Sequence, residues 1–295
     1  MGTVSSQPSL ALIGAGSMGE PMAANLLKHG FSVIVAGHHN RDPIHRLGQL
    51  GAVVATSSYE AATQAGVTLL MLPSSTEVEN VVLGKDGIIG ALTPGSILID
   101  CSTSDPTSTR RLAEVLKDRD IGLVDAPVSR GVQGARDGTL AFFIGGEDKD
   151  VEHVMPYLRV MGTDYFRFGP AGTGHTAKIL NNMISLSTVA IVAEATELAR
   201  DSGLDIQAFY DAVMAGNGKS GTIEAFGKRF ISRDHSKVNF RIELAAKDLF
   251  LSQELAAKTG KPFLVSAAAH QTLQLAQVLG LSKKDISNLA EFWSL

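Results

Sequence analysis

The sequence predicts an α/β domain built on a parallel sheet, followed by an all-α domain. Three observations lead there. Short apolar runs alternate with helical stretches up to about Gly169, a glycine-rich turn follows the first of those runs, and strand-like runs cease after Gly169-Pro170. Strands separated by helices form βαβ units, whose sheet is covered on both faces.

The strands come first. Leu10–Ile13, Ser32–Val35, Val67–Leu72, Ile97–Ile99 and Ile121–Val124 are rich in Val, Ile and Leu and read as buried strands. Between them, Pro21–His29, Pro43–Leu50, Ser58–Ala65, Thr76–Leu83 and Thr107–Asp118 read as helices. Leu140–Ile144 and Tyr165–Phe168 add edge strands, which closes a first domain over residues 8–169.

The second domain, 170–295, has a different texture. His175 to Arg200 contains neither Gly nor Pro and stops at Asp201-Ser202-Gly203. That predicts a helix roughly 39 Å long at 1.5 Å per residue. Its expected core stripe is Met183, Leu186, Ala190 and Ile191. Further helices are expected at Ile206–Ala215, Glu243–Thr259, Ser266–Leu279 and Lys284–Phe292.

Composition narrows the function. With 295 residues, 44% hydrophobic, 19% charged and a net charge of −4, the chain is an ordinary globular protein without the positive field that draws nucleic acid. One cysteine, Cys101, allows no intrachain disulfide and fits a reducing compartment; it reads as a small residue at a strand end rather than a nucleophile. Met1–Pro8 lacks the basic and apolar regions of a secretory signal, and no uninterrupted apolar run is long enough to span a bilayer. A cytoplasmic protein is expected. His38, His39 and His45 have no carboxylate or thiolate cluster beside them, so no metal site is expected.

The strongest local motif is Gly14-Ala15-Gly16-Ser17-Met18-Gly19, set between a strand and a helix. That context makes it the dinucleotide fingerprint of a Rossmann domain. Gly14 permits the turn, Gly16 lets backbone approach a pyrophosphate, and Gly19 lets the helix pack closely. The helix then aims free N–H groups at the phosphates.

Longer blocks agree with it: Gly14, Gly16, Met18, Gly19, Pro21, Met22, Ala23, Asn25 and Leu26; then Leu72-Pro73; then Asp100-Cys101-Ser102-Thr103 with Pro106. Asp125-Ala126-Pro127-Val128-Ser129 follows, then Gly172, Gly174, Lys178 and Asn182, and finally Lys247-Asp248-Leu249. In these blocks, in this order across nearly the whole chain, the sequence resembles the β-hydroxyacid dehydrogenase family. The resemblance implies oxidation of a small 3-hydroxyacid, or reduction of its semialdehyde or ketone, by hydride exchange with a nicotinamide dinucleotide. It also implies a homodimer or homotetramer.

The resemblance assigns roles. Lys178 becomes the general acid/base and Asn182, one helical turn on, its companion; both also touch substrate. Ser129, Arg130 and Gly131 fall where the family grips the substrate's carboxylate. Ser17, Met18, Leu72, Pro73 and Thr103 join the glycines as cofactor contacts, with Lys247 near the nicotinamide end. Asp248 either orients Lys247 or makes a surface salt bridge.

Two departures shape the finer expectations. About twenty residues past the glycines, where an NAD-binding strand usually ends in Asp or Glu, stand Ala36 and Gly37. His38-His39-Asn40-Arg41 follows, and an arginine there suits a 2′-phosphate, which favours NADP over NAD; Asp42 is the alternative ribose ligand. Arg130 stands where the family usually has glycine, and either meets a second anionic group of the substrate or turns to solvent. The competing readings are an imine reductase-like relative and a non-catalytic dinucleotide-binding module; Lys178 argues against both.

Overall fold

The computed structural model describes residues 9–36, 40–235 and 237–293. The chain divides into two compact units, Met1–Lys178 and Ile179–Leu295, so the division falls later than the change of texture at Gly169.

The first unit runs β1 (Leu10–Ile13), α1 (Gly19–Lys28), β2 (Val33–Ala36), α2 (Asp42–Gln49), β3 (Val53–Ala55), α3 (Ser58–Thr63), β4 (Val67–Leu70) and α4 (Ser75–Leu83). It continues with β5 (Ile97–Asp100), α5 (Pro106–Lys117), β6 (Gly122–Asp125), β7 (Val128–Ser129), α6 (Gly131–Asp137), β8 (Leu140–Gly145), α7 (Asp148–Arg159) and β9 (Gly162–Gly169). The strand order is β3-β2-β1-β4-β5-β6-β8-β7, with β9 paired to β8. Strands β1 to β6 are mutually parallel, β8 runs antiparallel to β6 and β7, and β9 lies parallel to β8.

Alternation along the central strands feeds two cores. Leu10, Leu12, Val33, Val35, Val67 and Leu69 pack with Met22, Leu26, Phe142 and Tyr157. Ile13, Leu70, Leu98 and Leu123 pack on the other face with Val78, Val82, Leu112 and Leu116. The order reverses between β1 and β4, and ligands of such sheets bind outside the carboxyl ends of the strands at that reversal.

The second unit holds most of α8 (Thr173–Asp201), then α9 (Ile206–Ala215), α10 (Gly221–Ser232), α11 (Ile242–Ala257), α12 (Leu264–Val278) and α13 (Leu289–Phe292). Its core joins Leu186, Val189, Ala190 and Ala193 of α8 to Ile242, Ala245 and Leu249 of α11 and Ala269 and Leu273 of α12. The stripe therefore runs i, i+3, i+4, i+7 from Leu186, with Met183 packed against it. Ile191, expected in it, lies off this face and is 57% exposed.

Other expectations also change. β3, β7, α6, α7 and α10 were not legible, while Lys284–Phe292 is a 3₁₀ turn at Ile286–Asn288 followed by the short α13 rather than one helix. Asp285 causes that turn, because its carboxylate caps Ser287 N at 2.9 Å while its backbone bridges Arg241. Among the described residues α8 is long and apolar enough to cross a membrane by length and mean composition, although His175, Lys178, Asn181, Asn182 and Glu194 interrupt its apolar run. Its buried residues include Lys178, Asn182 and Glu197 beside the core stripe, the make-up of a helix packed inside protein.

Candidate functional site

The loops at the carboxyl ends of β1, β4 and β5, adjacent in the sheet, carry the first part of the site. Gly14 has φ 102°, and a Cβ there would stand 2.2 Å from Met71 O. A Cβ on Gly19 would stand 2.1 Å from Gly14 O. Neither position tolerates a side chain, so the turn is locked onto the end of β4. Gly16 is exposed, and a Cβ on it would meet nothing within 4 Å. The three glycines thus divide as expected, two for packing and one leaving backbone open to a ligand.

Helix capping points the same way. Ser57, Ser74 and Asp105 cap α3, α4 and α5 with their side chains, whereas α1, like α2, α6 and α7, has no side-chain cap, and of these only α1 opens directly from the glycine loop. An uncapped N-terminus beneath a bare glycine loop suits a pyrophosphate, and the residues present fit a nicotinamide dinucleotide. Leu72 N donates to Ser102 Oγ at 2.9 Å, which ties the loop after β4 to the loop after β5 and places Leu72, Pro73 and Thr103 on neighbouring strand ends.

At the expected ribose end, β2 finishes at the buried Ala36. Gly37, His38 and His39 lie outside the described residues. Asn40 Oδ1 accepts from Asp42 N at 3.0 Å, so its carbonyl serves the turn into α2. Arg41 and Asp42 are both exposed at that helix start. Among the described residues no group of three His, Cys, Asp or Glu side chains could hold a metal ion.

Ser129, Arg130 and Gly131 form the turn between β7 and α6. Arg130 has φ 82° and Gly131 φ 60°, and a Cβ on Gly131 would meet nothing within 4 Å. Arg130 is expected either to meet a substrate anion or to turn to solvent, and its side chain is 45% exposed with one edge of the guanidinium engaged. Arg130 NH1 donates to Thr139 O at 2.7 Å and Thr163 Oγ1 at 2.8 Å, and lies 2.7 Å from Asp164 Oδ2. These contacts all engage NH1 and tie one edge of the guanidinium to the fold.

Lys178 is only 8% exposed, which rules out a lysine extended along the surface. Its Nζ lies 5.9 Å from the centre of the Phe143 ring, within reach of a cation–π contact. Asn182 follows one turn later on α8; its Nδ2 donates to Asp248 Oδ2 at 2.7 Å. Lys247 Nζ stands 2.9 Å from Asp248 Oδ1. Asp248 is buried, so it is no surface pair, and its Oδ2 holds the Asn182 amide while Oδ1 faces the Lys247 ammonium.

The sequence reading missed a buried group beside Lys178. Asp125 accepts from Gly172 N at 2.8 Å and from His175 N at 2.7 Å. The His175 ring meets Thr109 Oγ1 at 2.8 Å and Ser102 O at 3.0 Å, with carboxylate oxygens of Asp100 and Asp125 each 3.7 Å away. The available signal was that two buried apolar strands each end in Asp, since a charge at such a place needs partners. Cys101 sits in the same region, fully buried; burial, helped by Asp100, pushes its thiol well above the ordinary range and leaves it inert.

Comparisons with known proteins cover both units. The family model for the NAD binding domain of 6-phosphogluconate dehydrogenase matches residues 9–169. The family model described as NAD-binding of NADP-dependent 3-hydroxyisobutyrate dehydrogenase matches residues 172–293. A probable mitochondrial 3-hydroxyisobutyrate dehydrogenase of Dictyostelium discoideum is 34% identical, over 98% of this chain and 92% of that protein. An NAD-dependent L-serine dehydrogenase of Pseudomonas aeruginosa is also 34% identical, over 94% of this chain and 95% of its own. Among solved structures, the 3-hydroxyisobutyrate dehydrogenase of Mycobacterium tuberculosis with L-serine superposes at a TM-score of 0.86. It has 28% identity and covers 98% of this chain and 100% of that one.

Proposed function

The chain belongs to the β-hydroxyacid dehydrogenase family, as an NAD(P)-dependent enzyme, and on that premise we propose that it interconverts a small 3-hydroxyacid and its semialdehyde with Lys178 as the general acid/base. The observation that carries the reading is a lysine nine-tenths removed from water near the start of α8, in the family's motif. When bound, the nicotinamide supplies or takes up the hydride at the substrate carbon. The chain handles the rest. In reduction Lys178 Nζ gives a proton to the carbonyl oxygen, and in oxidation the unprotonated amine takes the hydroxyl proton. Ser129 Oγ and the Gly131 N–H hold the carboxylate. Asn182, oriented by Asp248, keeps one amide hydrogen for substrate.

Hydroxyacids of the kinds named for the relatives, 3-hydroxyisobutyrate and L-serine, are the first to assay, by absorbance of the reduced nicotinamide with both cofactors. Turnover of at least one supports the reading. Activity on cyclic imines with none on hydroxyacids would overturn it.

We assign the cofactor as NADP, supported by Arg41 and by the lack of an acid at Ala36. Arg41→Ala should raise KM for NADPH by about tenfold to a hundredfold, the worth of a charge-assisted hydrogen bond, and leave that for NADH unchanged. Equal effects on the two cofactors would return the assignment to NAD.

Arg130 receives a structural role in this reading. Glycine relieves its left-handed backbone but gives up the contacts to Thr139, Thr163 and Asp164. Arg130→Gly is therefore expected to change kcat/KM alike for mono- and dianionic substrates. A loss confined to dianions would restore it as a substrate ligand.

We further infer a homodimer or homotetramer in the cytoplasm. Exposed Ile184, Ile191 and Leu198, spaced seven residues apart along α8, support the assembly. Light scattering that returns a monomer would remove it.

A further inference from the structure

We propose that His175, with Asp125 and Asp100, is a positioning device that fixes where Lys178 presents its amine; the inference rests on the role given to Lys178 above. Thr176 N donates to Gly172 O, which makes Gly172 the N-cap of α8 and His175 its third residue. A capping box satisfies two donors at a helix start, the N–H of the cap and that of the third residue. Here both are taken by one carboxylate from another element. Asp125, the last residue of β6, accepts from Gly172 N and His175 N, so the sheet itself caps the helix. Its negative charge also suits the positive end of α8.

The His175 side chain makes a second fastening. The Ser102 carbonyl can only accept, so Nε2 carries the proton toward it, and Nδ1 pairs with the Thr109 hydroxyl. Ser102 N in turn donates to Asp100 Oδ1, and Leu72 N donates to Ser102 Oγ. One imidazole thus joins the helix bearing Lys178 to the loops after β4 and β5, where the cofactor contacts are expected. His175, Asp100 and Asp125 are each no more than 1% exposed, so none of the three is a group for substrate to meet.

Steric fit completes the anchor. A Cβ on Gly174 would stand 2.4 Å from Phe143 O and 2.8 Å from Asp125 O, so the first turn of α8 lies directly against β8 and β6. Phe143 is also the ring beside Lys178 Nζ. Lys178 is three residues past His175, on the same side of the helix. A change in the anchor therefore moves the amine.

The test is a double-mutant cycle on the full-length enzyme with its dinucleotide. His175→Ala and Asp125→Asn should each lower kcat by about tenfold to a hundredfold, the scale of a misplacement of about 1 Å, with dinucleotide affinity unchanged. In a Lys178→Ala background, His175→Ala should cost nothing further, because its effect passes through the missing amine. His175→Gln, whose amide can reach the Ser102 carbonyl, should recover part of the rate. Thr109→Val, a near-isosteric change that removes the Nδ1 partner together with the hydroxyl's contact to Asp105 O in its own helix, keeps the test open if His175→Ala does not fold, and should lower kcat without changing dinucleotide affinity. Losses that multiply in the double mutant, or a wild-type kcat in both His175→Ala and Thr109→Val, would overturn the positioning role. Full activity of Lys178→Ala alone would instead overturn the reading beneath it, so the two failures are distinct.

Discussion

Lys178→Ala is expected to lose about 10²–10⁴-fold in kcat, the range for removal of a general acid/base, and to bind the dinucleotide as the wild type does. The separation follows from position. The glycine loop and the ends of β4 and β5 are built without Lys178, whereas no other lysine or histidine on the first two turns of α8 is placed to replace it: His175 is fully buried and bound on both ring nitrogens. Steady-state kinetics and a fluorescence titration of NADPH give the two readouts. A parallel fall in affinity would mean that the lysine holds the cofactor rather than the proton.

The second large effect concerns stability. Asp285 is fully buried and takes hydrogen bonds from Arg229 NH1 at 2.7 Å, Asn239 N at 2.6 Å, Phe240 N at 3.0 Å and Ser287 N at 2.9 Å. Asp285→Ala strands all four donors, and Arg229, whose side chain is 17% exposed, loses its carboxylate and keeps only the Lys237 carbonyl as acceptor. Breaking such a buried pair costs about 3–5 kcal/mol, so the helical unit should melt on the order of 10 °C lower. Calorimetry that finds the transition unmoved would show that water replaces the carboxylate.

The same residue gives a pH dependence. Burial alone would raise the carboxyl of Asp285, but hydrogen bonds from Phe240, Ser287 and Asn239 outweigh it and hold the group below its usual value. A depressed carboxyl contributes stability above the unfolded value of about 3.9 and loses it as pH falls through the lower native value. Acid should therefore weaken the wild type over that window more than it weakens Asp285→Asn.

The sheet was legible in the sequence because β1, β4 and β5 are buried along their whole length and so leave unbroken apolar runs. β3 was not, since Val53 and Val54 are half exposed at the sheet edge over only three residues. Pro156 hid α7, and Gly227 hid α10, where a Cβ would stand 2.5 Å from the Tyr210 ring. Residue type also gives no warning that Arg130 adopts a left-handed conformation and turns one edge of its guanidinium back on the fold. Lys178 and Asn182 were found through the family resemblance, not through periodicity. The His175 group stayed hidden because its partners lie 50, 66 and 73 residues away in sequence. Contacts that distant arise from the sheet topology and leave no local pattern.

The most direct measurement of the central claim is the pH profile of kcat in both directions for the wild type and for Lys178→Ala. An amine that must lose its proton for oxidation and hold it for reduction makes oxidation rise with pH and reduction fall, each across the ionisation of its own ternary complex. Both limbs should be present in the wild type and absent from the residual activity of the variant. Limbs that persist unchanged in Lys178→Ala would place the proton on another group and contradict the assignment.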